Sequence, residues 1–521
     1  MAAPIMAISP SAMAATDGTD AKIQNLQQQL ETLQKQIADL KATDSAALET
    51  AKKQREEIES RVAETEKKQK SAVTTTLTAG RPTWASADGA FTASIRAVLQ
   101  ADYGYYMQSK AARKLSTGPD LSSGANIRRA QLGLQGKLFG DWSYNFNYDF
   151  GNSAYETPGK ILNAYLQYDG LGPLAFRFGA FAPSYSVEDQ TSATDLMFLE
   201  RNSPTNMLRS VAGAEGRVGA SMIYAGSEIF GALSYTTSKI ADTGSFDEQS
   251  ALVGRLAYLA INEKDAHLLV GGNVIHVFSL PDNYAAGTTT APMHSITLSD
   301  YPEVTVDDNA VKLISTGALA AKQFTSWGVE VAGNYQNFYA QASYNSMEIN
   351  RSSTYTVFTA SGTSSNKTLA VKDNSLSAWY AQVSWVLTGE SKPYVPATAA
   401  FGSPKPAQPF SLEDGTWGAW ELVGRFSDTN LNDRLDDPTS YISAWSGTSK
   451  TYSFYNSARG GDQKVYTVGV NWYPNSVVRF ALNYMWVDVT RYSATASSTT
   501  LPTANIGQKL KVIALRTQLA L

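Results

Sequence analysis

Cysteine is absent from the 521 residues, histidine occurs three times, and no apolar run approaches the roughly 18 residues that a membrane helix needs. The first absence excludes disulfides and thiolate metal sites. The three histidines, His267, His276 and His294, are too few and too poorly spaced for a metal centre, and no cofactor is expected. A basic excess is also lacking: 43 Lys and Arg stand against 47 Asp and Glu, a net charge of −4, which gives no argument for a nucleic-acid partner. Without an apolar helix, a chain that crosses a membrane must do so as a closed barrel, because every backbone N–H and C=O has to be paired. What is present suits that solution. Tyr (27) outnumbers Phe (19) and Gly is abundant (38). The mildly negative mean hydropathy of −0.24 fits strands of which every second residue is polar.

Period-two alternation is clearest over residues 375–489, which read as strands 375–388, 416–427, 465–473 and 477–488. Trp379, Ala381, Val383, Trp385 and Leu387 share one face of the first, while Tyr380, Gln382 and Ser384 share the other. The last two strands pair through Pro474-Asn475, with Val478, Phe480, Leu482, Tyr484 and Trp486 opposite Arg479 and Asn483. Aromatic residues gather near strand ends and aliphatic ones occupy the middles, the layout of interfacial girdles around a lipid-facing band. Similar strands begin at Phe91 and recur to Leu521, which closes an amphipathic strand led by Ile513, Leu515, Thr517 and Leu519. The fold class is therefore an all-β transmembrane barrel over residues 89–521, of about sixteen antiparallel strands at roughly 27 residues per strand and connection.

The N-terminal part reads differently. Residues 1–15 are small and apolar and end in an A-x-A-like site at Ala12-Met13-Ala14, so they are expected to be the remnant of a signal peptide. Ile23, Leu26, Leu30, Leu33, Ile37 and Leu40 then repeat at spacings of three and four, the seam of a coiled coil, and helix formers continue to Lys70. Residues 16–70 are expected to be a coiled-coil helix in the periplasm, and 71–88 a linker.

Several blocks, in the right order, resemble the phosphate-selective porin O and P family of outer-membrane channels. They are Leu387 to Tyr394, Phe401 to Pro406, Trp420 to Ser427, the hairpin centred on Asn471 to Asn475, and Phe178 to Glu188 followed by Met197 to Asn202. The last block is similar to the loop that folds into the barrel in that family. The resemblance implies a sixteen-stranded porin, an oligomer for which we expect a homotrimer, and a constriction made by the loop 182–211. Members specialised for phosphate carry a dense arginine ladder. This chain shows no such ladder: the strands after Arg217 are almost free of basic residues, and Ala182 stands where a basic residue precedes the proline.

A pore needs no catalytic group, only a shaped lumen with fixed charges. On the strand alternation, Arg96, Arg129, Lys137, Arg177, Arg425 and Arg479 point inward, and Glu188, Arg201 and Arg209 sit on the expected constriction stretch 182–211. These are the expected pore-lining and selectivity residues. The expected function is passive diffusion of small hydrophilic solutes across the bacterial outer membrane, with a preference for anions, of which phosphate is one candidate. The alternative is a cell-envelope anchor whose helix, residues 22–70, contacts the cell wall while the barrel serves mainly to hold it in outer-membrane lipid. A barrel-embedded enzyme built around His276 lacks any flanking motif, and we expect none.

Overall fold

The computed structural model describes residues 13–71, 73–78, 80–108, 121–156, 159–240, 247–282, 294–359, 361–437, 439–446, 449–492, 495–496 and 505–521. The signal-peptide remnant expected over 1–15 lies outside them up to residue 12. Two units are present, residues 1–73 and 74–521.

The first unit is one helix, α1 (Met13–Ser71). Its seam residues, from Ile23 at 48% to Leu26 at 64%, are all exposed in the single chain. No described helix is long and apolar enough to cross a membrane.

The second unit is a closed antiparallel meander of sixteen strands. They are β1 (Thr92–Gln108), β2 (Gly124–Leu138), β3 (Trp142–Asp149), β4 (Lys160–Leu171), β5 (Leu174–Phe181), β6 (Arg217–Ala225), β7 (Ile229–Lys239), β8 (Ser250–Glu263), β9 (Ala266–Ser279), β10 (Leu319–Tyr335), β11 (Phe338–Arg351), β12 (Asn374–Val386), β13 (Ala419–Asp433), β14 (Ala458–Tyr473), β15 (Val478–Tyr492) and β16 (Asn505–Ala520). Each strand pairs with the next, and β16 closes the ring on β1 from Leu510↔Gln108 to Ala520↔Val98. The segment expected to be a linker holds two short strands, Val73–Thr78 and Arg81–Ser86, the second paired with the start of β1. The polar run from Asp428 to Asp433 lies beyond the strand 416–427 read from the alternation, and continues β13.

Burial is inverted relative to a water-soluble protein. Leu132, Leu134, Val329, Val331, Val383, Leu422, Val468, Leu482, Ile513 and Leu515 are exposed, while Gln100, Glu330, Gln341, Gln382, Glu421, Asn471, Asn483 and Gln518 are buried. An apolar exterior over a polar interior is the alternation of a barrel in lipid. Exposed and half-buried aromatics form two rows. One, beside the short turns, includes Trp142–Tyr168, Phe338–Trp385 and Trp420–Trp472–Phe480, with centroids 5.1 to 5.6 Å apart. The other runs through Trp327–Tyr344 and Trp379–Phe426–Tyr466. Trp379 and Trp385 are six residues apart on β12, about 20 Å along the strand.

The lumen is not empty. The β5–β6 connection, 182–216, turns inward and carries two helices, α2 (Val187–Gln190) and α3 (Ser203–Val211), both largely buried. Ser186 and Asn202 cap them, accepting from the Asp189 and Thr205 amides. Part of the β9–β10 connection also folds in: Glu303, Val304, Thr305 and Val306 are each about 1% exposed. From the short-turn end the β12–β13 connection enters, burying Ala399, Ala400 and Phe401. These inserts explain why Val465, Met485, Val487, Val489 and Val512, on the inward alternation, are apolar. They pack against Leu199, Met207, Leu208, Leu313 and Ile314 of the inserts in one buried cluster.

Candidate functional site

The inward loop meets the wall through arginines. Arg516 on β16 and the pair Arg128 and Arg129 on β2 converge on Glu200 of the loop. Arg128 donates from Nε at 2.8 Å and Nη2 at 3.1 Å, and Arg516 from Nη2 at 2.7 Å. Arg129 is looser, at 3.4 to 3.5 Å. Arg516 is also held by both oxygens of Asp102 at 2.6 Å, and Arg128 by Glu156 at 2.9 and 3.2 Å. Burial works against the charged form of Glu200. The three arginines outweigh it and hold the carboxyl well below its usual range.

Other cations hold the loop by its backbone. Arg479 on β15 donates to the carbonyls of Leu196 and Met197 and, at 2.9 Å, to Asn471. Arg425 on β13 reaches the Glu200 carbonyl at 3.0 Å and pairs with Glu303 of the second insert. Within the loop, Arg201 donates to the carbonyls of Glu188, Asp189 and Thr191, and Arg209 pairs with Asp189 and Glu215. Glu188 faces the opposite wall, accepting from Gln341 at 3.2 Å and Gln382 at 2.8 Å. Of the expected residues, Glu188, Arg425 and Arg479 therefore act first as ties between loop and wall, and Arg201 and Arg209 as ties within the loop.

Beside this lattice lies a polar chamber of about 300 Å³, reached by residues of all three inserts, including Gln190, Tyr301 and Thr398. Seven basic side chains line it (Arg96, Arg128, Arg129, Lys160, Arg177, Arg201, Arg209) against five carboxylates (Asp149, Glu156, Asp189, Glu200, Glu215), a balance of +2. Arg201 of the loop is held by backbone carbonyls, and Arg96 and Arg177 differ from the other basic residues that the wall contributes. Among the described residues neither has a carboxylate within 4.0 Å. Arg96 reaches only Ser192 at 3.4 Å; Arg177 bonds Gln167 at 2.8 Å and lies 4.3 Å over the Tyr165 ring.

The structure thus brings eight of the nine expected residues to the loop or the chamber. Lys137 is the exception. It sits opposite Ser143 near the short-turn end of β2, exposed and away from the chamber. Three functional arginines were missed. Arg516 stood on the inward alternation and could have been taken from it. Arg255 on β8 is one of the few basic residues on the strands that follow Arg217, and its side chain is fully buried against Glu330. Arg128 was hidden by a bulge: Gln100 faces Arg129 and Ala101 faces Ile127, so Arg128 is the extra residue and both arginines turn inward.

A closed barrel with an apolar exterior and a charged lumen narrowed by inserted loops is a transmembrane channel of the porin class. Residues 94–520 match the family model described as phosphate-selective porin O and P, and the chain belongs to that family of outer-membrane porins. Porin O of Pseudomonas aeruginosa is 25% identical over 420 residues, 77% of this chain and 84% of that one. Among solved structures, the outer-membrane channel DcaP of Acinetobacter baumannii is 11% identical with a TM-score of 0.43, over 83% of this chain and 97% of that one. An anion-selective porin from Comamonas acidovorans is 10% identical with a TM-score of 0.41, over 83% and 100%.

Proposed function

We propose that this porin passes small hydrophilic solutes by diffusion with a modest preference for anions, phosphate among them. The observation that carries the reading is the pair Arg96 and Arg177, charged groups of the chamber with no carboxylate partner among the described residues. Fixed charge in a low-dielectric-walled passage raises the local concentration of counter-ions. The preference is modest because most arginines of the lumen already face a carboxylate or a loop carbonyl. The short-turn end, where β1 begins and β16 finishes, faces the periplasm, as short turns do in outer-membrane barrels. The segment 16–70, which precedes the barrel in the chain, is then periplasmic and able to touch the cell wall. Its unpaired seam supports a homotrimer.

The test is the reversal potential of the purified protein in a planar bilayer under a KCl gradient, compared with an Arg96→Gln/Arg177→Gln double variant. The parent should reverse on the chloride side of zero, and the variant should move to zero or past it. A barrel that conducts with equal reversal potentials would remove these residues from selectivity, and one that conducts nothing would remove the pore reading.

A further inference from the structure

We propose that Glu200 is a built-in occupant of an oxyanion site formed by Arg128, Arg129 and Arg516, and that its presence there is what keeps the channel only modestly anion-selective. The inference rests on the reading of the lumen as a conducting passage. Receptor and occupant come from different parts of the fold. The three guanidinium groups project from β2 and β16 of the wall, whereas the carboxylate arrives on the inserted loop. Arg516 and Arg425 fix the backbone on either side of it through the Leu199 and Glu200 carbonyls.

One forked donor at 2.8 to 3.1 Å, a single guanidinium N–H at 2.7 Å and a third arginine at 3.4 to 3.5 Å are what a free carboxylate or a phosphate oxyanion would meet at this place. The wall's own counter-ions do not complete the balance. Asp102 serves Arg516, and Glu156 is shared between Arg128 and Lys160. Four cations thus meet three carboxylates, and without Glu200 they meet two. Arg128, Arg129 and Glu200 all line the chamber, so a vacated site is open to solute.

The experiment replaces Glu200→Gln, which keeps the shape and removes the charge. In a planar bilayer under a KCl gradient the variant should be several-fold more selective for chloride than the parent. Millimolar phosphate or acetate should reduce its current while leaving the parent's unchanged; block by acetate alone would assign the site to planar carboxylates, and block by phosphate alone to tetrahedral oxyanions. Calorimetric titration of the detergent-solubilised variant with the same two anions gives a readout independent of conduction, so failure of the pore reading is distinguished from failure of this one. Unchanged selectivity with no block and no binding overturns the proposal. Should Glu200→Gln fail to give a folded barrel, Arg129→Gln decides: its contacts are the longest, Glu200 stays in place, and the reversal potential should move toward cations. No movement there also overturns the proposal.

Discussion

Arg255 on β8 and Glu330 on β10 are both fully buried, 2.8 Å apart, and neither touches only the other. Arg255 also donates to the Thr398 and Ala399 carbonyls of the insert that enters from the short-turn end, and Glu330 accepts from the Val187 amide at the start of α2. The pair therefore pins two inserts to one wall. Arg255→Ala leaves a buried carboxylate without its cation, a loss of about 3–5 kcal/mol. The urea midpoint followed by tryptophan fluorescence in detergent should fall accordingly, while an Arg255→Met/Glu330→Met double variant should recover part of the loss. An Arg255→Ala midpoint equal to that of the parent would show that the insert holds without the pair. Residues of this kind were legible only in part. Alternation gives the side of the wall, which is why Arg96, Arg129, Arg177, Arg425 and Arg479 were found inside. It gives neither the partner across the lumen nor a bulge, so Arg128 and the role of Glu200 were out of reach.

At the scale of elements, α1 presents an apolar stripe that its own helix cannot bury. Six apolar residues from Ile23 to Leu40 lie along one stripe, and all are exposed. A stripe of that spacing is a seam for other helices, and a seam of three heptads is too short to hold unless its partners are kept close. The absence of native cysteine makes the test simple. In full-length protein, Leu30→Cys should give disulfide-linked chains on mild oxidation, and Gln28→Cys, on the outer face of the same turn region, should not. Equal crosslinking at the two positions, or none, would mean that the seam has no partner. The heptads were readable because their period is distinct from that of strands. The inserts were less so. The loop after β5 announced itself by length, but the β9–β10 connection looked like any polar loop. The signal that it enters the barrel lay elsewhere, in the inward-facing Val465, Met485, Val487, Val489 and Val512, which make no sense against water and are explained by the inserts packed on them.

On the scale of the whole molecule, two kinds of interaction do separate work. The shell is a ring of backbone ladders closed by β16 against β15 and β1. In lipid an open edge leaves backbone N–H and C=O groups without partners, at several kcal/mol each, so the ring forms as a unit or not at all. The filling is a lattice of side chains: Glu303 ties the second insert to Arg425, Ser427 and the Ser203 amide, and Glu200 ties the first to β2 and β16. Damage to the filling should therefore change what passes, and damage to the shell should abolish the protein. Replacing residues 296–313 by a short Gly-Ser bridge removes Glu303 with its insert and leaves every barrel strand intact. Single-channel conductance should rise severalfold, and selectivity should move toward anions because Arg425 loses its carboxylate. On unheated gels the variant should still run as a folded barrel. Truncation before residue 505 should give no folded band. If the bridged variant fails to fold, or folds with unchanged conductance, the separation of shell and filling is wrong: the insert would then belong to the framework rather than to the pore.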